Sequence, residues 1–394
     1  MPRSRYELNN REVTMKKSLK KAAVAIAALS LILAPAANAA VLKASGATSV
    51  AGLIDKCKAD YQSATGNSFD YPGGGSGAGK TAFTNGTVDF AFSDSVHSPL
   101  IANEIHVPTV LWPVAILTNL TGSNKPVTLS TNTVAGIFAG KITKWNDPAI
   151  VADNNRTINT IVYKKDATGK VAKDAKGAPI VLRTAQVTQH RTMPNLDITV
   201  IYRSDNSGTS NNLSRALNKL APDVWTKSPN DSFATAFPGT ITADPVHFRS
   251  ASGSAGVSLL ASKTKGAITY AELSYAATYN LGLTSVINMA GNAILPSSDS
   301  AAAAGGVATI DDATGVLTFD YLTKDSDAYP FTATTYALVS TKYGDAAKAK
   351  AVKDTIAYHA FTCPGKYPTL GFAQLTPTSK FGAIVSKQLA KLGA

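Results

Sequence analysis

Three turns in the chain combine glycine, small hydroxyl side chains and a following helical pattern, the combination that holds anions. Ser45-Gly46-Ala47-Thr48-Ser49 opens one helical pattern, Gly74-Gly-Ser-Gly-Ala-Gly79-Lys80-Thr81 a second, and Ser207-Gly208-Thr209-Ser210 a third. Arg203 lies just before the last of these. Glycine lets main-chain N–H groups crowd toward one point, and a helix N-terminus adds partial positive charge there. Taken singly, each turn reads as well as an ordinary helix N-cap. The second also fits the nucleotide-binding pattern of Gly, four residues, then Gly-Lys-Thr. No strand-ending Asp supported by other switch elements accompanies it, and glycine-rich stretches recur elsewhere in the chain. Lys80 is therefore read as a solvated side chain rather than a nucleotide ligand.

Other chemistry has little to start from. His97, His106, His190, His247 and His359 lie far apart, with no HExxH or HxH spacing, and CxxC and zinc spacings are absent. No activated nucleophile stands out. A non-enzymatic protein with no cofactor and no metal is the expectation. Cys57 and Cys363 are the only cysteines. Either they pair, which an exported chain permits, or they are two buried thiols.

The N-terminal segment changes how the charge is read. Lys16, Lys17, Lys20 and Lys21 precede an apolar run over 22–34, and Ala37-Asn38-Ala39 is a small-x-small cleavage site. This is the order of a secretory signal peptide, cut after Ala39. The apolar run falls short of the roughly 20 residues that a spanning helix needs. Met15 is an alternative start. The whole chain carries 38 basic and 26 acidic residues, but 1–39 holds seven and two of them, which leaves +7 over 355 residues. A mild positive field suits small anions. No basic-aromatic stripe calls for nucleic acid.

The elements that must position the three turns alternate. Residues 41–47, 69–71, 87–93 and 198–202 read as strands, and 49–65, 131–138, 210–220, 253–263, 346–361 and 380–392 as helices. Residues 105–120 read as a core strand or a crossover between domains. Residues 161–182 read as a hairpin with turns at 166–169 and 174–177, 270–275 as a helix-turn, and 297–315 as a loop with a small hairpin. The strand–turn–helix rhythm argues for α/β architecture with parallel strands. Trp145 reads as core packing and His97 as a surface residue.

The motifs also carry a resemblance. Gly46-Ala47-Thr48, residues 71–79, Thr87-Val-Asp-Phe-Ala-Phe-Ser-Asp94, Phe138-Ala-Gly-Lys-Ile-Thr-Lys-Trp-Asn-Asp147 and Arg203-Ser-Asp-Asn-Ser-Gly-Thr-Ser210 resemble the phosphate-binding proteins of phosphate-specific ABC transporters. Gly266-Ala-Ile-Thr-Tyr270 and Tyr329-Pro-Phe-Thr-Ala-Thr-Thr-Tyr336 extend the likeness over most of the chain. The resemblance implies a two-lobed periplasmic-binding fold of type II. Lobe one would combine 40–112 with 335–394, and lobe two would span 113–334 with the inserted hairpin. It implies a phosphate site of Thr48, Ser76, Asp94, Arg203, Ser207 and Thr209, joined by the main-chain N–H groups of Ser49 and Gly208. The expected partners are inorganic phosphate and an ABC permease, and the expected form is an exported monomer. A secreted phosphate-handling enzyme and a surface or matrix protein on the same fold are the alternatives.

Overall fold

The computed structural model describes residues 41–393, apart from 121–125, 168–170, 176–178, 242–243 and 245. The leader, its cleavage after Ala39 and the alternative start lie outside the described residues.

The α/β architecture is built on two large sheets. The first has the order Ser68–Asp70, Val41–Gly46, Phe90–Ser93, Thr332–Ser340, Glu104–Pro113. Its first three strands are parallel, and Thr332–Ser340 runs antiparallel to both of its neighbours. The second has the order Phe248–Ala251, Thr199–Arg203, Ala267–Ala271, Ala115–Thr118, Gly282–Ile287, Ala293–Ile294, with Val127–Ser130 also paired to Gly282–Ile287. Phe90–Ser93 and Ala267–Ala271 are buried at every residue, as strands covered on both faces must be.

The apolar run over 105–120 is both a core strand and a crossover. Glu104–Pro113 belongs to the first sheet and Ala115–Thr118 to the second, with only Val114 between them. The Val114 N–H donates to the Phe331 carbonyl at 2.7 Å, just before Thr332–Ser340 re-enters the first sheet. The two passages between the sheets thus lie side by side.

Most elements follow the local pattern. Thr131–Phe138 and Ala346–Phe361 are helices with those bounds, and Ala51–Thr65 begins two residues later than periodicity suggests. Three readings are corrected. Ser298–Gly306 is a helix, not a loop: Ser297 and Ser300 form a reciprocal capping box, and the alanines that follow are strong helix formers. Ala267–Ala271 is a strand, with the helical turn delayed to Ser274–Thr278, because it pairs with strands on both sides. The hairpin is longer at its base than 161–182: Thr157–Tyr163 pairs with Val181–Thr188, and bridges at Lys165–Val171 and Lys173–Pro179 continue it outward. Parts of its two expected turns lie outside the described residues. Trp145 is fully buried, with Nε1 donating to the Gly266 carbonyl at 2.9 Å.

Cys57 on Ala51–Thr65 and Cys363 on Cys363–Lys366 form a disulfide with Cα atoms 5.9 Å apart. Thiol titration of the denatured, unreduced protein should therefore find no free thiol. The bridge spans 306 residues of sequence, so in the chain-entropy picture its reduction should cost about 6 kcal/mol of unfolding free energy. Thermal melts with and without reductant measure that loss.

Candidate functional site

The three sequence turns meet because they leave strands at equivalent ends. Val41–Gly46, Ser68–Asp70 and Phe90–Ser93 are parallel, so the loops bearing Thr48, Ser76 and Asp94 all emerge on one edge. Thr199–Arg203 and Phe248–Ala251 are likewise parallel and deliver Arg203 and Ser254. Open α/β sheets place ligands at the carboxyl ends of their strands for this reason.

Glycine makes the approach possible at two points. Gly46 has φ +134°, and a Cβ there would lie 1.9 Å from the Phe92 carbonyl oxygen. Gly208 opens the helix Gly208–Leu220, and a Cβ on it would sit 2.6 Å from Ser76 Oγ and 2.8 Å from Asp94 Cβ. The helix N-terminus is pressed directly onto the groups it serves.

Asp94 is the centre of the arrangement, with 3% of its surface exposed. Ser49 Oγ donates to both carboxylate oxygens at 2.8 Å, Thr335 Oγ1 to one at 2.7 Å and Thr209 Oγ1 to the other at 3.3 Å. The Asp94 N–H donates to Ser76 Oγ at 3.1 Å, and Asn212 Nδ2 donates to the Asp94 carbonyl. Burial pushes the carboxyl up to about 6, against the pull of Thr335, Ser49, Arg203 and Thr209 toward the ionised form.

A second cluster surrounds Arg203, 2% exposed. Its Nε donates to Asp205 Oδ1 at 2.7 Å and its Nη2 to Asp205 Oδ2, while Nη1 reaches Ser254 Oγ at 3.4 Å. Burial alone would lower the guanidinium pKa, but the Asp205 carboxylate outweighs it and the shift is upward. Asp205 is held below its ordinary value despite its own burial, by Arg203 and by the Gly253 N–H. Ser254 ties this cluster to the first sheet: its N–H donates to Thr48 Oγ1 at 3.1 Å, and the two hydroxyls lie 3.3 Å apart.

Seven of the eight residues expected from the sequence lie in these two clusters, and Ser207 adjoins them. Thr48 lies beside Ser254; Ser49, Ser76, Gly208 and Thr209 gather on Asp94; Arg203 lies beside Ser254. Ser207 caps its helix, accepting from the Ser210 N–H at 3.2 Å. Ser49 contributes a hydroxyl as well as its place in the turn. Two site residues escaped the sequence reading. Ser254 lies in a Ser-Gly-Ser turn before a helix, the same signal as Ser207-Gly208-Thr209. Thr335 carries no local signal: the register that sets Tyr336 against Ser93 brings it in from far down the chain.

Two expectations are overturned. Lys80 is not solvated; its Nζ lies 2.9 Å from Asp231 Oδ2 and 2.7 Å from Ser95 Oγ. His97 is not a free surface residue; its Nδ1 lies 2.8 Å from Glu104, whose side chain is fully buried.

The PBP superfamily domain matches residues 33–358. The protein named phosphate-binding protein PstS 2 of Mycobacterium tuberculosis is 31% identical over 331 residues, covering 79% of this chain and 77% of its own. The chain belongs to the PstS family. The phosphate-binding protein PstS of Xylella fastidiosa is 29% identical over 320 residues, covering 79% of this PstS-family chain and 75% of its own. Among solved structures, the phosphate-binding protein of Stenotrophomonas maltophilia has a TM-score of 0.60 at 21% identity, covering 89% of this chain and 94% of its own. PfluDING, a high affinity periplasmic phosphate-binding protein solved with phosphate, has a TM-score of 0.61 at 24% identity, with coverages of 89% and 93%. These likenesses bear on the two-lobed fold.

Because Asp94 binds its proton more tightly folded than unfolded, its stabilising contribution is full below about 4 and is lost as pH rises through about 6. The difference in unfolding free energy between wild type and Asp94→Asn should change by on the order of 2–3 kcal/mol across that window and stay flat above it. Chemical denaturation of the ligand-free proteins at a series of pH values measures it.

Proposed function

We propose that this chain is an exported solute-binding protein that captures inorganic phosphate between two lobes and delivers it to an ABC permease. The observation that carries this is a buried carboxylate among hydrogen-bond donors. Ser49, Thr209 and Thr335 offer hydroxyls, Arg203 a guanidinium, and the helices Gly208–Leu220 and Gly253–Ser262 their N-termini, yet Asp94 stands in their midst as an acceptor.

A carboxylate repels a bare anion. It becomes favourable when the anion brings a proton to donate. Phosphate near neutral pH keeps at least one P–OH, whereas sulfate has none. Sulfate in the same place would set an oxygen against Asp94 with no hydrogen between them, and leaving a buried charge unpaired is expensive. Discrimination thus rests on one repulsive contact, and affinity on the donors around it.

The proposed phosphate ligands are Thr48, Ser49, Ser76, Asp94, Arg203, Ser207, Gly208 and Thr209, with Ser254 and Thr335 added. The lobes proposed are 40–112 with 335–394, and 113–334, hinged where Val114 and Phe331 lie side by side. Hinge closure of this kind buries a ligand between lobes. The membrane-facing partner is supported by the PstS relatives and by the N-terminal export pattern. The relatives are named as binding proteins, which supports binding without covalent chemistry.

Calorimetric titration of the stripped mature protein should show one phosphate per chain at pH 8. Sulfate should bind more weakly by on the order of 100-fold or more. As pH falls through about 6, Asp94 gains its own proton, becomes a donor, and the penalty on sulfate should shrink. Asp94→Asn should narrow the gap at pH 8, where Asp94 is ionised, and change it little once pH falls well below about 6. Equal affinity for the two anions in wild type at pH 8 would refute the proton-acceptor mechanism.

A further inference from the structure

The lysine of the Gly-Lys-Thr stretch has no part in the phosphate site as described, yet it is neither exposed nor idle. Its Nζ bonds Asp231 Oδ2 at 2.9 Å and Ser95 Oγ at 2.7 Å, and the two charged side chains keep only 15% and 17% of their exposure. Each end of this contact is fastened to a segment that carries site residues. Lys80 lies about one turn along Ser76–Thr84 from Ser76 itself. Ser95 follows Asp94. Asp231 accepts the Ser207 N–H on its carbonyl and Asn211 Nδ2 on Oδ1, both at 2.9 Å, and so grips the first turn of Gly208–Leu220.

We infer that the Lys80–Asp231 ion pair is the latch that holds the two lobes together over the bound anion and sets how long the anion stays. The inference rests on the phosphate reading above. Lys80 and Ser95 belong to segments around the first sheet, and Asp231 to the segment that follows Gly208–Leu220 beside the second. A neutral contact runs alongside, from the Gly77 N–H to the Asn206 carbonyl at 2.9 Å. The ion pair adds what neutral contacts lack. Its strength falls quickly once water enters between the charges, so it favours the closed state without making opening prohibitive. The pair borders a groove also lined by Thr84, Asn206 and Asn230, from which water can reach it as the lobes part. A fully buried pair would be too costly to break and remake at each delivery.

Lys80 and Asp231 are thus positioning residues: neither is among the proposed phosphate ligands, and each acts by keeping Ser76, Asp94 and Ser207 in register. Their loss should appear in dissociation rather than association, as changes to a docked state usually do. The test is release of radiolabelled phosphate into excess unlabelled phosphate, with association followed separately. Lys80→Met and Asp231→Ala should each speed release by about 10-fold, with association changed by less than about 3-fold. The double variant Lys80→Met/Asp231→Ala should release no faster than the faster single one, since each substitution alone already opens the latch. The exchanged pair Lys80→Glu/Asp231→Lys should recover part of the residence time, and it carries the test should Lys80→Met fail to fold by circular dichroism. Unchanged release in the single variants, effects that multiply in the double, or a loss confined to association would overturn the latch while leaving phosphate binding intact. A wild type that binds no phosphate would overturn the functional reading and this one with it.

Discussion

A carboxylate taken out of water must be compensated, and in this chain the compensation of Asp94 organises everything around it. Its oxygens are met by hydroxyls from Ser49, Thr209 and Thr335, which come from three separated parts of the sequence. Each has to be delivered within hydrogen-bond reach by its own backbone. Two sheets with aligned strand ends supply that delivery, and glycine at 46 and 208 removes the side chains that would hold the backbones apart. The donors do not fully offset burial, and the carboxyl stays well above its ordinary value. That residual cost is what makes the group receptive to one more donor.

Arg203 shows the same economy of charge. Its guanidinium is already matched by Asp205, so the pair adds little net charge to the site. Attraction for an anion must then come from oriented dipoles: hydroxyls, and the N-termini of helices that follow parallel strands. Such donors act over short distances and demand good fit, which suits recognition of a single small ion. A site built on net charge would hold any anion of similar size.

The region between the sheets follows from the same constraint. If donors and acceptor sit on different lobes, the site exists only when the lobes are together. Thr48 with Ser254 and Thr209 with Asp94 are contacts of that kind. The two passages at Val114 and Phe331 run side by side between the sheets, so the proposed lobes stay joined there.

Much of this was legible in the residues alone. Glycine-hydroxyl turns before helices have a local physical meaning, so the segments around Thr48, Ser76 and Ser207 could be picked out, and the motif likeness placed Asp94 and Arg203 with them. Thr131–Phe138 and Ala346–Phe361 follow from periodicity, because a helix is held by contacts within its own stretch. Ser298–Gly306 did not, since a run of Ser, Ala and Gly looks like a loop until the capping box closes. Thr335 and the partner of Lys80 were beyond reach for a different reason. Which side chain meets Asp94 from Thr332–Ser340 depends on strand register, and Asp231 lies 151 residues from the lysine it binds. Local sequence determined where the donors could be; only the packing of two sheets decided which acceptor they would share.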